Sequence, residues 1–150
     1  MFWYTTLTRD RKQSLGALSG EELKVHWLKC VGSQMIGQVE LYPLLLVRHA
    51  LSALLHNRRI LYFIDNDAAR DGLIKGHSSS PSSQILIEEF FSFEMLQPTI
   101  PWFARVPSFS NPADLPSRGE LQLASSTYQA QVVDLGVLPE GAKIRLLAVG

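Results

Sequence analysis

Apolar and polar positions divide the chain into strand-like and helix-like stretches. Residues 2–6 are aromatic and β-branched, and residues 14–18 form a short apolar stretch. Residues 23–29 alternate Leu23, Val25 and Trp27 with Lys24, His26 and Leu28. These segments predict three strands, and Gly20-Glu21-Glu22 supplies a turn between the second and third, so an antiparallel meander is the economical arrangement. Over residues 36–56 the apolar positions Ile36, Val39, Leu44, Val47, Leu51, Leu54 and Leu55 recur with helical spacing. Pro43 lies inside that span, so the helix either begins near Glu40 or is kinked there.

Ile60-Leu61-Tyr62-Phe63-Ile64 is continuously apolar or aromatic, the pattern of a central strand covered on both faces. It stops at Asp65-Asn66-Asp67. A short helix is predicted over residues 67–76, with an Asn or Asp cap at its start and Gly76 past its end. Ser80 then caps a second helix with Pro81 at its first position; Leu86, Phe90, Phe93, Ile87 and Phe91 form its apolar face, and Pro98 ends it. A last core strand covers residues 100–106, with Ile100, Trp102, Ala104 and Val106 on one face, closed by Pro107. Asn111-Pro112-Ala113-Asp114 repeats the cap-and-proline pattern, while Pro116 and Gly119 keep that helix short. Beyond Gly119 the periodicity weakens. Residues 120–150 read as a C-terminal extension, either a hairpin of residues 131–135 and 143–149 or a loosely ordered tail, and no internal repeat is visible.

Composition narrows the classes without choosing among them. The chain has 150 residues, with 14 Lys+Arg against 14 Asp+Glu, four His and 46% hydrophobic residues, the profile of an ordinary globular domain. Cys30 is the one cysteine, so no internal disulfide forms, which points to a reducing intracellular compartment, cytoplasmic or nuclear. A spanning helix needs about 20 apolar residues. The longest Leu-rich run free of charge covers residues 41–47 and is closed by Arg48 and His49, so no membrane span is predicted. The first residues lack the basic start of a signal peptide and reach Arg9-Asp10-Arg11-Lys12 early. Neutral charge argues against a dedicated nucleic-acid coat but leaves room for a metal-mediated grip on phosphates.

Three acids sit where the pattern does not ask for them. Glu40 falls four residues after Ile36 and four before Leu44, which places a carboxylate on the apolar stripe of the first long helix. Asp65 follows the most apolar strand, at the edge where open α/β sheets assemble their sites. Asp114 opens the turn after the last strand. Taken singly, each has an ordinary explanation as a helix-end, capping or first-turn acid. Together they can converge at one sheet edge, and convergent carboxylate oxygens suit hard Mg²⁺ or Mn²⁺ ions. Asp65-Asn66-Asp67 also resembles the opening of haloacid-dehalogenase-type phosphatases, but Ala69 stands where those enzymes prefer Thr or Val, and the strand arrives late in the chain.

Three segments together carry a stronger resemblance: Ile36-Gly37-Gln38-Val39-Glu40-Leu41, then Tyr62-Phe63-Ile64-Asp65-Asn66-Asp67-Ala68-Ala69, then residues 106–119, with Val106-Pro107-Ser108, Asn111-Pro112-Ala113-Asp114 and Ser117-Arg118-Gly119. Residues 1–119 resemble a ribonuclease H-like domain of the retroelement, reverse transcriptase-associated type. The resemblance implies an α/β fold with a mixed five-stranded sheet, three antiparallel strands followed by two parallel ones, and helices on both faces. It also implies hydrolysis of the RNA strand of RNA–DNA hybrids with Mg²⁺, or Mn²⁺ as a substitute. Glu40, Asp65 and Asp114 would be the catalytic and metal-binding carboxylates.

The chain departs from the family at two places. Thr6 stands where the family has a first-strand aspartate, with Asp10 four residues further on, and Ser108-Phe109-Ser110 stands where a loop histidine is usual. Asn66 and Arg70 are the expected substrate contacts because they follow the site strand. Arg58, Arg59, Lys75, His77, Arg105, Arg118 and the run Ser78-Ser79-Ser80 are further polar groups able to meet phosphates. Trp27, Trp102 and Phe103 are expected in the core. His26, His49, His56 and Cys30 lack zinc-site spacing. Two readings follow: a nuclease partnered by an RNA–DNA hybrid and by a reverse transcriptase domain of the same polyprotein, or an inactive domain that binds nucleic acid or serves a structural role.

Overall fold

The computed structural model describes residues 36–111, 120–128 and 139–148. Their order is α1 (Ile36–Ala50), α2 (Ser52–Leu55), β1 (Arg59–Ile64), α3 (Asp67–Lys75), α4 (Pro81–Leu96), β2 (Ile100–Arg105), a 3-10 turn at Ser108–Ser110, α5 (Leu121–Tyr128) and α6 (Glu140–Leu147). The expected first helix breaks after Ala50 and resumes as α2, and Pro43 lies within α1 rather than at its start. Asn57 then turns the chain with φ 58°, a left-handed conformation that Asn tolerates better than most residues.

β1 and β2 pair in parallel, from Arg59 opposite Ile100 to Ile64 opposite Arg105, and the crossover between them runs through α3 and α4. The sheet of the described residues therefore has two parallel strands, which corrects the expected five-stranded sheet. The three antiparallel strands of that expectation fall on residues 1–35, outside the described residues.

The side chains of β1 and β2 alternate. Tyr62, Ile64 and Phe103 turn to the helices, where Phe103 stacks on Tyr62 with ring centroids 5.5 Å apart and meets Phe90 at 5.8 Å. Leu61 (53% exposed), Phe63 (55%) and Trp102 (71%) line the opposite face, which is open among the described residues. Among the described residues the core helices lie on one face of the strand pair rather than on the two expected, and Trp102, expected in the core, is exposed. A continuous apolar run has no alternation of its own, so it cannot separate a strand covered twice from one that carries exposed apolar residues.

The core lies between the helices and the inner sheet face. It is built from Leu41, Tyr42, Leu45 and Leu46 of α1, Ala69 and Leu73 of α3, Leu86, Ile87 and Phe90 of α4, and Ile64. Gly72 allows α3 to approach α4 closely, because a Cβ there would meet Ile87 Cδ1 at 2.9 Å. Gly76 ends α3 in the left-handed conformation at φ 66°, as its position in the sequence suggests. Where a hairpin or a loose tail was expected toward the C-terminus, residues 140–147 form a helix, α6, whose Ala142 and Leu146, one helical turn apart, are buried. Arg145 of α6 reaches Glu88 Oε2 of α4 at 2.9 Å.

Polar side chains fix α1 against α4 at both ends. Near the start, Gln38 Nε2 donates to Ser80 Oγ at 2.9 Å, so the Ser80 hydroxyl serves α1 rather than capping its own helix. Near the end, the wholly buried Arg48 donates to the Glu94 carboxylate and to the Gln97 carbonyl, and its guanidinium lies 5.4 Å from the Phe93 ring centre. Glu94 Oε2 also accepts from Thr99 N and Thr99 Oγ1, both at 2.8 Å, which carries the tie to the entry of β2. Burial pushes the Tyr62 hydroxyl well above its usual range; the Glu94 carboxylate adds to this and Arg48 opposes it. Removing one partner of a buried pair strands the other charge without solvent. Glu94→Ala should therefore lower stability by about 3–5 kcal/mol, whereas Arg48→Met combined with Glu94→Gln, which removes both charges and keeps an acceptor for Thr99, should cost far less. Urea denaturation of both variants with an unchanged slope checks this, and equal losses would contradict it.

Candidate active site

The site begins where β1 ends. Asp65 follows Ile64 directly at the carboxyl edge of the parallel pair, and the ladder closes beside it with Val106 N donating to Ile64 O at 3.3 Å. Glu40 comes from the second turn of α1, on a helix whose adjacent Leu41 and Tyr42 are buried. The fold brings these two acids, 25 residues apart in sequence, into side-chain hydrogen-bond contact.

Two carboxyls bond to each other only when one of them holds a proton. Glu40 is that group. Burial, then the negative charge of Asp65, then the hydrogen bond to it raise Glu40 from 4.5 to about 7. The pair is a partly buried concentration of hard oxygen donors with mutual repulsion that a proton relieves, and a divalent cation can relieve it in the same way. The donor set therefore fits Mg²⁺ or Mn²⁺. Among the described residues no third Asp, Glu, His or Cys joins it to complete a metal-holding group. Asp114, the third predicted carboxylate, and Thr6 lie outside the described residues.

The predicted substrate contacts sit next to the pair with structural partners of their own. Asn66 is the N-cap of α3 and its Oδ1 accepts from Ala69 N at 2.8 Å. Arg70 lies 2.9 Å from Asp67 Oδ1 and 2.9 Å from Asp71 Oδ1. Asp67 is in turn approached by Arg105 Nε, at 3.6 Å, from the end of β2. Sequence spacing reveals the Asp67–Arg70 half of this network, since residues three apart on a helix are neighbours. The Arg105 half depends on strand register and has no local signal. Past β2, the 3-10 turn exposes Phe109 (92%) and leads to Asn111, where the described stretch ends. No helix among the described residues is long and apolar enough to cross a membrane.

Comparison with family models, curated proteins and solved structures gave no match to this chain.

A carboxyl that holds its proton more tightly when folded stabilises the fold less as pH rises. Glu40 imposes no such cost below about 4.5, where it is protonated folded and unfolded alike; the cost grows between 4.5 and about 7 and is complete above that. Screening at its partly exposed carboxyl limits the effect to about 1–2 kcal/mol. Glu40→Gln should thus raise the melting temperature at pH 8 by roughly 3–6 °C and leave it nearly unchanged at pH 4.5. Calorimetry at the two pH values checks this, and a shift of equal size at both would count against the carboxyl pair.

Proposed function

We propose that this chain is a retroelement-derived nuclease of the ribonuclease H type, hydrolysing the RNA strand of RNA–DNA hybrids with Mg²⁺, or Mn²⁺ in its place. The observation that carries the reading is the contact of Glu40 with Asp65 at the carboxyl edge of the parallel strands. These two acids lie in the first two of the three sequence segments that resemble that family. Placing two like-charged groups together in a partly buried position works against stability, an arrangement that concentrates at functional sites.

Glu40 and Asp65 would hold the metal, joined by Asp114 by virtue of its motif position. The chemistry such a bound divalent ion would supply is Lewis-acid activation of a water molecule and neutralisation of charge on the leaving 3′ oxygen. The protein's part is geometric. α1 and the end of β1 fix the carboxylate oxygens, and Asn66 caps α3 so that the chain turns away directly after Asp65. A reverse transcriptase domain of the same polyprotein is the proposed partner. The proposed compartment is the cytoplasm or nucleus, where Cys30 stays reduced.

One sequence feature favours a second reading, an inactive domain of the same origin that binds nucleic acid or serves a structural role: Thr6 offers no carboxylate where the family has one. Cleavage of a labelled RNA–DNA hybrid with Mg²⁺ and with Mn²⁺ separates the two. The nuclease reading expects the natural chain to cut the RNA strand and Asp65→Asn to lose at least about 100-fold in rate, on the scale of losing a group that stabilises transition-state charge. Cleavage by Thr6→Asp alone would establish the second reading, and no cleavage by any variant would overturn the site.

A further inference from the structure

Beside the carboxyl pair, the same sheet edge carries a second charged group whose balance is incomplete. Asp67 Oδ1 faces two guanidiniums, Arg70 at 2.9 Å and Arg105 at 3.6 Å. Arg70 has Asp71 as well and its side chain is 21% exposed, so its charge is matched within α3. Arg105 differs. Among the described residues its approach to Asp67 is longer than a hydrogen bond, the oxygen it approaches is already engaged, and its side chain is 62% exposed.

Strand register sets where this cation stands. Arg105 is the partner of Ile64, the residue before Asp65, and paired residues of neighbouring strands project to the same face. Ile64 is buried under the helices, so Arg105 leaves the sheet on the side where α1 carries Glu40. A planar guanidinium presents a fork of donors that matches two phosphate oxygens at once. An under-satisfied, exposed fork one step along the edge from a carboxylate pair is placed to take a backbone phosphate beside the phosphodiester that the pair would address.

We infer that Arg105 is a substrate-positioning residue that binds a backbone phosphate of the nucleic acid, and that Asp67 competes with that phosphate for its guanidinium. Arg105 has this role only if the chain acts on nucleic acid as proposed above. Two variants then have opposite signs. Arg105→Gln removes a phosphate contact, whereas Asp67→Asn removes the competing negative charge and leaves Arg105 in place.

Fluorescence anisotropy of a labelled RNA–DNA hybrid with the full chain, in EDTA and over a range of salt concentrations, reads both effects. Arg105→Gln should weaken binding about 3- to 10-fold and lower the slope of log affinity against log salt by about 0.9, the value for one lost phosphate contact. Asp67→Asn should tighten binding about 2- to 5-fold. Arg145→Gln, on α6 and paired with Glu88 of α4, should change neither quantity. Thermal melts confirm that each variant is folded. Unchanged affinity and slope in Arg105→Gln, in a chain that binds hybrid, would overturn the inference and leave the nuclease reading standing. A natural chain that binds no hybrid would overturn both.

Discussion

Arg48 has no exposed side-chain surface, so the acceptors for its guanidinium lie inside the fold. The Glu94 carboxylate accepts from Nε and the Gln97 carbonyl from Nη2, while the buried Nη1 has no hydrogen-bond partner, and Glu94 passes the constraint to Thr99 at the entry of β2. At the other end of α1, Gln38 bonds Ser80 at the start of α4. Early residues of α1 thus meet the start of α4 and late residues meet its end, so the two helices run in the same direction with little freedom to slide. Glu40 lies between these ties. A slip of one residue along α1 would rotate its carboxyl by about 100° and move it about 1.5 Å, enough to break the contact with Asp65. Buried polar ties are demanding because any mismatch leaves a desolvated charge, which is why they can hold a helix in register where apolar packing tolerates rearrangement.

Strand pairing supplies the second coordinate. The register of β1 on β2 brings the end of one strand, with Asp65, level with the end of the other, with Arg105. The apolar core between α1, α3, α4 and the inner sheet face holds that edge rigid, while the edge itself is populated by charged and polar groups: Glu40, Asp65, Asn66, Asp67, Arg70 and Arg105. Placing reactive groups at the carboxyl end of parallel strands is a general property of α/β sheets, because helices that start there leave a crevice outside the strand ends.

The elements legible in the sequence were those with a local cause. Gly76 and Asn66 mark the limits of α3 through backbone conformation and capping, and Pro81 marks the first turn of α4. The meeting of Glu40 and Asp65 was legible too, since each acid interrupted an apolar pattern that otherwise explained itself. What failed were judgements that local pattern cannot make. The run over β1 did not reveal that Leu61 and Phe63 face outward, nor did the sequence around β2 reveal that Trp102 does. The segment around Ala142 and Leu146 read as part of a hairpin or of a loose tail, although these two buried positions are spaced for a helix. Arg105 was one basic residue among several until strand register placed it beside Asp67.

Direct metal binding tests the proposed divalent-cation site at Glu40 and Asp65 without requiring turnover. Electron paramagnetic resonance of Mn²⁺ titrated with the full chain at pH 8 measures how much of the ion is bound. A metal site there should bind Mn²⁺ saturably, with binding weakened at least about tenfold, equivalent to about 1.4 kcal/mol, in both Glu40→Gln and Asp65→Asn. No saturable binding by the natural chain, or binding that neither substitution alters, would contradict it.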